Sequence, residues 1–185
     1  MKRNTPFLLA VNLAILLLTA CNMATPENYF DQSVLNCNMM MGFAGEGLQR
    51  QLEQPTVKLV EGSKDQTAPM KRKEVIEDKI IFLDQAYAKI KNFKETDDTK
   101  DMLRASVALY DYVLPVYKTE YLQLAKLYDE GASKEQIALF SKNISDKYFA
   151  GFEARFNKLT DAGKPYAAKH NIKVNWGIQT SPKTD

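Results

Sequence analysis

The residues best suited to chemistry are few and scattered. The stretch CNMMMG, Cys37 to Gly42, sets a thiol beside three thioethers. Thiolate and thioether sulfur are soft ligands that suit Cu(I), which makes Cys37, Met39, Met40 and Met41 the copper candidates. Against that, Cys37 and Met41 fall on an apolar stripe, and methionine also fills gaps in cores. His170 is the only histidine. Helical bundles hold haem between a methionine and a histidine on distant helices, and Met41 with His170 is the pair that would do so here. The chain has no CxxCH attachment motif, and a histidine near a helix end is also favoured by the helix dipole. The reading therefore expects no cofactor.

Tyr110, Tyr117, Tyr121 and Tyr128 put four phenols along one helical face. Buried phenols need partners. The row is either a wet core edge or a groove for a peptide, glycan or lipid. The acid pairs Glu74 with Asp78 and Asp97 with Asp101 have the i,i+4 spacing of general acid–base couples. Both lie where a solvated face or a helix's first turn explains them. No Ser/His/Asp set, histidine pair or phosphate loop is present. These residues point to a binding protein rather than an enzyme.

Apolar stripes of helical period must position these side chains. The first follows Thr25 as N-cap, with Pro26 and Glu27 in the first turn, and runs through Phe30, Val34, Cys37, Met41, Ala44, Leu48 and Leu52. Gly42, Gly45 and Gly47 interrupt it and mark a kink or a close contact. A polar linker, QPTVKLVEGSKDQTAP, follows. The second stripe is Ile76, Ile80, Leu83, Tyr87 and Ile90, with Lys79 off it. After KETDD, where Thr96 or Asp97 caps, the third runs Leu103, Val107, Tyr110, Leu114, Tyr117, Tyr121, Leu124 and Tyr128. Pro115 should kink it near Asp111 or Tyr112, and Gly131 supplies its C-cap. The fourth opens with Ser133 and Gln136 as a capping box and carries Ile137, Phe140, Ile144, Tyr148, Phe152, Phe156 and Leu159. DAGKP ends it, and Pro165 starts a short extra turn to His170. Ile172, Val174 and Trp176 then alternate as an extended tail laid on the core. The expected fold is all-α: an up-down-up-down four-helix bundle over residues 25–176, with 177–185 a flexible tail.

Ahead of that domain, Lys2 and Arg3 precede the run FLLAVNLAILLLTAC, apolar from Phe7 to Ala20 apart from Asn12 and Thr19. It falls short of the ~20 apolar residues of a spanning helix. A basic start, a short apolar core and small residues before a cut make a signal peptide over residues 1–20. LTAC resembles the lipobox of bacterial lipoproteins. The resemblance implies Leu18 as the motif's leucine, Thr19 and Ala20 as its small pair, and Cys21 as the lipidated residue. It further implies cleavage before Cys21 and a lipidated tether over 21–24. Asn22, rather than aspartate, follows the cysteine, which is similar to the outer-membrane sort. The mature chain resembles small helical envelope lipoproteins of unassigned activity.

Loss of the leader takes the net charge from +2 to near zero, which argues against nucleic-acid binding. With Cys21 lipidated, Cys37 has no partner and no disulfide framework is possible. The expectation is a non-enzymatic envelope lipoprotein, anchored through its lipid and binding another envelope component or a protein. Its alternatives are an immunity or inhibitor protein against an exported toxin, and a haem- or copper-binding periplasmic bundle.

Overall fold

The computed structural model describes residues 24–176. The expected signal peptide over 1–20, the expected lipidation residue Cys21 and the expected tail over 177–185 lie outside the described residues. The described chain is mostly helical.

Helix α1, Pro26–Ser33, starts as its sequence requires: Asn28 N–H donates to Thr25 Oγ1 at 3.2 Å, and Pro26 fills the first turn. The first stripe does not continue as one helix. Leu35–Met40 tightens into a 3₁₀ turn, residues 41–45 turn back, and α2 spans Glu46–Glu53. Gly42 makes the turn back possible: its φ is +85°, and a Cβ there would lie 3.0 Å from Leu48 N. Only glycine takes that conformation at little cost. Its carbonyl accepts from Gly45 and Leu48 and so links the turn to α2.

The linker is not structureless. Val57–Leu59 (β1) and Thr67–Pro69 (β2) pair antiparallel, Lys58 opposite Ala68. This corrects the expectation of a strand-free domain. Lys58 reaches Glu74 in an ion pair that fixes the hairpin to α3, Arg72–Lys91. Glu74 Oε2 accepts from Lys71 N–H at 2.9 Å. The other free amides of that helix start are capped from a distance, since Asp129 takes Arg72 and Lys73 N–H at 2.8 and 3.0 Å.

Helix α4, Lys100–Val116, passes through a π-helical turn, Tyr117–Tyr121, into α5, Leu122–Asp129. Thr96 and Thr99 bond each other's backbone and side chain at its start. The irregularity lies after Pro115, not before it near Asp111 as expected. Thr119 Oγ1 donates to Pro115 O at 2.9 Å, which supports the widened turn. Gly131, φ +71°, closes the helix in a Schellman motif: Gly131 N–H meets Tyr128 O and Ala132 N–H meets Leu127 O.

Helix α6 is one piece from Lys134 to Lys169, opened by the expected Ser133–Gln136 capping box. DAGKP does not end it, which is a second correction. Gly163 keeps helical backbone and is buried against Val34, while Pro165 is exposed within the helix. The stop comes at Asn171, φ +56°, through Asn171 N–H to Ala168 O and Ile172 N–H to Ala167 O. Ile172, Val174 and Trp176 then lie half-buried on the core, as expected, with Trp176 edge-on to Phe30.

The 100–129 helix is central. Helix α3 runs antiparallel to it, joined by Tyr87 to Asp111, Lys118 to Asp84 and Asp129 to the start of α3. Helix α6 is also antiparallel to it, through Tyr148 to Glu120 at one end and His170 to Asp98 at the other. Residues 30–52 complete the core with Phe30, Phe43, Leu48 and Leu52.

Candidate functional site

The sulfur cluster does not converge. A 3₁₀ turn has three residues per turn, so consecutive side chains point ~120° apart. Met40 is buried, Met39 half-buried and Met41 42% exposed. Met41 is thus not on the core face, and Met40 is; the 3₁₀ turn shifts the phase that an unbroken helix would keep. Cys37 is fully buried. Its thiol donates to Ser33 O at 3.2 Å and lies 3.9 Å from Ser106 Oγ. Burial pushes the thiol up to about 12, so it is not a thiolate at neutral pH, and metals take the thiolate. Among the described residues no three His, Cys, Asp or Glu side chains gather as metal ligands.

His170 and Met41 do not meet. His170 Nε2 lies 2.6 Å from Asp98 Oδ2, just before α4, and its ring centroid is 4.4 Å from that of Tyr166. Met41 neighbours the turn whose Ala44 bonds Tyr121, far along the same central helix. At 1.5 Å per residue those two levels are roughly 30 Å apart. Asp98 also takes Lys169 at 2.7 Å. Lys169 first, then His170, hold the Asp98 carboxyl below its ordinary value.

The tyrosine row faces inward. Tyr110 and Tyr117 are fully buried, Tyr121 is 3% exposed and Tyr128 is half-buried. Tyr110 stacks on Tyr87, and Tyr117 on Tyr121 with centroids 4.8 Å apart. Phe43 wedges against Tyr112, Tyr117, Tyr121 and Phe152 at 5.1–6.5 Å. The four phenols therefore line no open groove, because the wide stripe of α4 and its π turn is the centre of the core. Among the described residues, the hydroxyls of Tyr110, Tyr117 and Tyr128 are buried with no hydrogen-bond partner. Burial raises all four phenols, Tyr121 to about 12. Tyr121 borders a cavity.

That cavity, about 260 Å³, lies between the start of α2 and the first third of α6, over Tyr121 and Leu124. Ala44 forms part of its wall at φ +52° and donates its N–H to Tyr121 Oη at 2.7 Å. A second hollow of about 340 Å³ has Met39, Met70, Val75 and Phe82 as apolar lining, with Asp78 and Lys79 at it. Burial lowers Lys79, whose ammonium lies 5.9 Å from the Tyr117 ring centroid. The acid pairs do not act as couples. Glu74 is engaged by Lys58 and the Lys71 amide, and Asp97 by Lys100 at 3.1 Å.

The sequence offered no signal for Ala44, since left-handed alanine has no composition cue. For Lys79 the only cue was its place beside Ile80 and Ile76, where a lysine stem can cover apolar surface. Comparisons with protein-family models, with curated proteins and with solved structures return no match.

Proposed function

We propose that the chain is a bacterial envelope lipoprotein, anchored at the outer membrane through Cys21, that acts by binding another envelope component or a partner protein rather than by catalysis. The observation that carries this reading is the stretch LTAC after a basic start and a short apolar run. Among the described residues, no helix is long and apolar enough to cross a membrane, so the tether falls to the leader. Only Asn22, Met23 and Ala24 separate Cys21 from the Thr25 cap, at most ~14 Å of extended chain. The domain rides close to the bilayer.

The domain is best read as an up-down-up-down bundle whose first member, 26–53, is broken in the middle. The antiparallel ties of α3 and α6 to the central helix support it. Binding is supported by exposed apolar side chains on two faces, one on the hairpin and one on α3. Val57 and Leu59 stand on the hairpin face opposite Lys58, 57% and 62% exposed. Phe82, 61% exposed, shares its hollow with Thr56 and Met70 at the hairpin's base. Exposed apolar side chains that group on a surface, as Val57 with Leu59 do on theirs, mark contact surfaces.

The test is Cys21→Ala in cells fed labelled palmitate. The variant should carry no label and accumulate as an unprocessed or mis-sorted protein. Label on the variant at the parent's level overturns the lipoprotein reading.

A further inference from the structure

We propose that the cavity between α2 and α6 is a binding site for a small neutral polyhydroxylated ligand, one sugar ring in size. The proposal does not depend on the lipid tether. The cavity's size argues for a single ring: about 260 Å³ is just below the ~300–1,000 Å³ of pockets for drug-sized ligands.

Its polar groups are unspent. Tyr121 accepts from Ala44 N–H, and among the described residues its own hydrogen has no acceptor. Ser141 Oγ is buried with no partner. Buried hydroxyls normally find one, and each exception calls for an explanation. Ser145 lies one turn on, so the two serines share a face of α6. Gln49 spends its amide N–H on Glu53 at 3.0 Å, leaving its carbonyl oxygen free. Donors and acceptors at these positions match the mixed demand of a polyol.

The charges at the rim cancel. Lys142 is held by Asp146 at 2.5 Å, and Glu46 faces Arg50 at 3.9 Å. Neither sign is left over for an ionic ligand. An apolar platform stands beside the opening. Phe149 is 41% exposed, and a Cβ built on Gly45 would sit 4.0 Å from its ring. An exposed ring beside convergent hydroxyls suits the C–H face and the O–H edge of a sugar together. The wall is also held out of its ordinary conformation. Ala44 at φ +52° is uncommon for a residue with a side chain, and such backbone concentrates at ligand sites.

The experiment is a titration of the isotope-labelled full chain in detergent, read at the Ala44 and Gly45 amides. The probes are glucose, N-acetylglucosamine, a trisaccharide of the latter, and inorganic phosphate. Saturable shifts with the sugars and none with phosphate are expected. Equal affinity for the single sugar and the trisaccharide marks a free monosaccharide as occupant, and tighter trisaccharide binding marks the end of a glycan chain. Phe149→Ala, at an exposed position, should weaken binding about tenfold, and Ser141→Ala about fivefold. No shift with any sugar overturns the proposal, as does a response to phosphate alone. Sugar shifts unchanged in both variants place the ligand elsewhere and overturn it too.

Discussion

Residues 26–53 and 134–169 carry the same kind of apolar stripe, and both are interrupted by glycine. One folds as helix, 3₁₀ turn, loop and helix; the other as an unbroken helix of 36 residues. The difference lies in what each glycine is for. Gly42 takes a positive φ in the turn that leads from the 3₁₀ segment back into α2, whereas Gly163 keeps helical backbone and lets Val34 and Trp176 come close. Glycine in a stripe therefore signals an exception without saying whether it concerns backbone or contact. The broken segment is also not the weaker one, since its loop sends Phe43 into the middle of the aromatic core.

The comparison breaks most sharply at two phenylalanines. Phe43 is 1% exposed among four aromatic rings, while Phe149 on the continuous helix is 41% exposed. Phe43→Ala should cost about 3–5 kcal/mol of unfolding free energy, and Phe149→Ala under about 1 kcal/mol. Urea titration measures both. Equal midpoints would mean that the loop only rests on the core.

The glycines themselves come next. Gly42→Ala forces a side chain into the left-handed region with backbone atoms 3.0 Å away, and should cost about 1–3 kcal/mol. Gly163→Ala gains up to about 1 kcal/mol of helix propensity and loses a similar amount to the contact with Val34 Cγ2 at 3.0 Å. It should end near neutral. A reversed order of the two thermal midpoints would remove the distinction between backbone and contact.

Helix capping and stripe period made much of the architecture readable in advance. The Thr25 cap, the Ser133–Gln136 box and the Gly131 stop all stand where the residue types put them. What the sequence hid was cooperation across distance. Asp129 caps a helix start more than fifty residues away, and no local pattern announces that. Asn171 rather than Pro165 stops α6, because proline near an exposed helix end frees one carbonyl to solvent. The short hairpin in the linker was hidden because its strands have three residues each, too few to show a period, and β1 is exposed throughout. The candidate sites were least legible. The sulfurs and tyrosines have the right types, but phase and burial put Cys37, Met40 and most of the tyrosine row into the core and turn Met41 out to solvent. The cavity's features come from a loop conformation that composition does not encode.

A pH titration sharpens the contrast within the broken segment. Cys37 is buried there, its thiol raised from 9.0 to about 12 by desolvation. The fold thus favours the neutral thiol. The unfolded chain ionises near its ordinary value and is favoured as pH rises through it. Stability is complete below that value and falls between about pH 9 and pH 12. By linkage, the loss from this one group at about pH 10 is about 1 kcal/mol. Tyr121, raised from 10.0 to about 12, adds its share only at higher pH. Cys37→Ala should lower stability at pH 8 yet flatten the decline from about pH 8 to pH 10. An unchanged slope in the variant would show that the thiol is not desolvated.

The smallest effect is expected where the long helix ends. Asp98 accepts from Lys169 at 2.7 Å and lies 2.6 Å from His170, and a reader of contacts would make this cluster the clasp that stops α6. The backbone says otherwise, because the turn at Asn171 closes the helix with two backbone hydrogen bonds, one from Asn171 N–H and one from Ile172 N–H. Asp98 and His170 keep 31% and 23% of their side-chain surface exposed, and Lys169 keeps 62%. Pairs so placed are screened and contribute little. Asp98→Asn should therefore cost no more than about 0.5 kcal/mol at neutral pH. The sign with pH is fixed by the lowered Asp98 carboxyl. Its contribution is present above the ordinary carboxylate range and lost as pH falls through the folded value. The variant should fall slightly below the parent at pH 7 and converge on it as pH drops below the ordinary carboxylate range. Asn171→Ala, which removes the residue type that tolerates a positive φ, should cost more, about 1 kcal/mol. If Asp98→Asn is the more damaging of the two in urea unfolding, α6 is held by charge at its end, and its continuity past Gly163 and Pro165 needs a different cause.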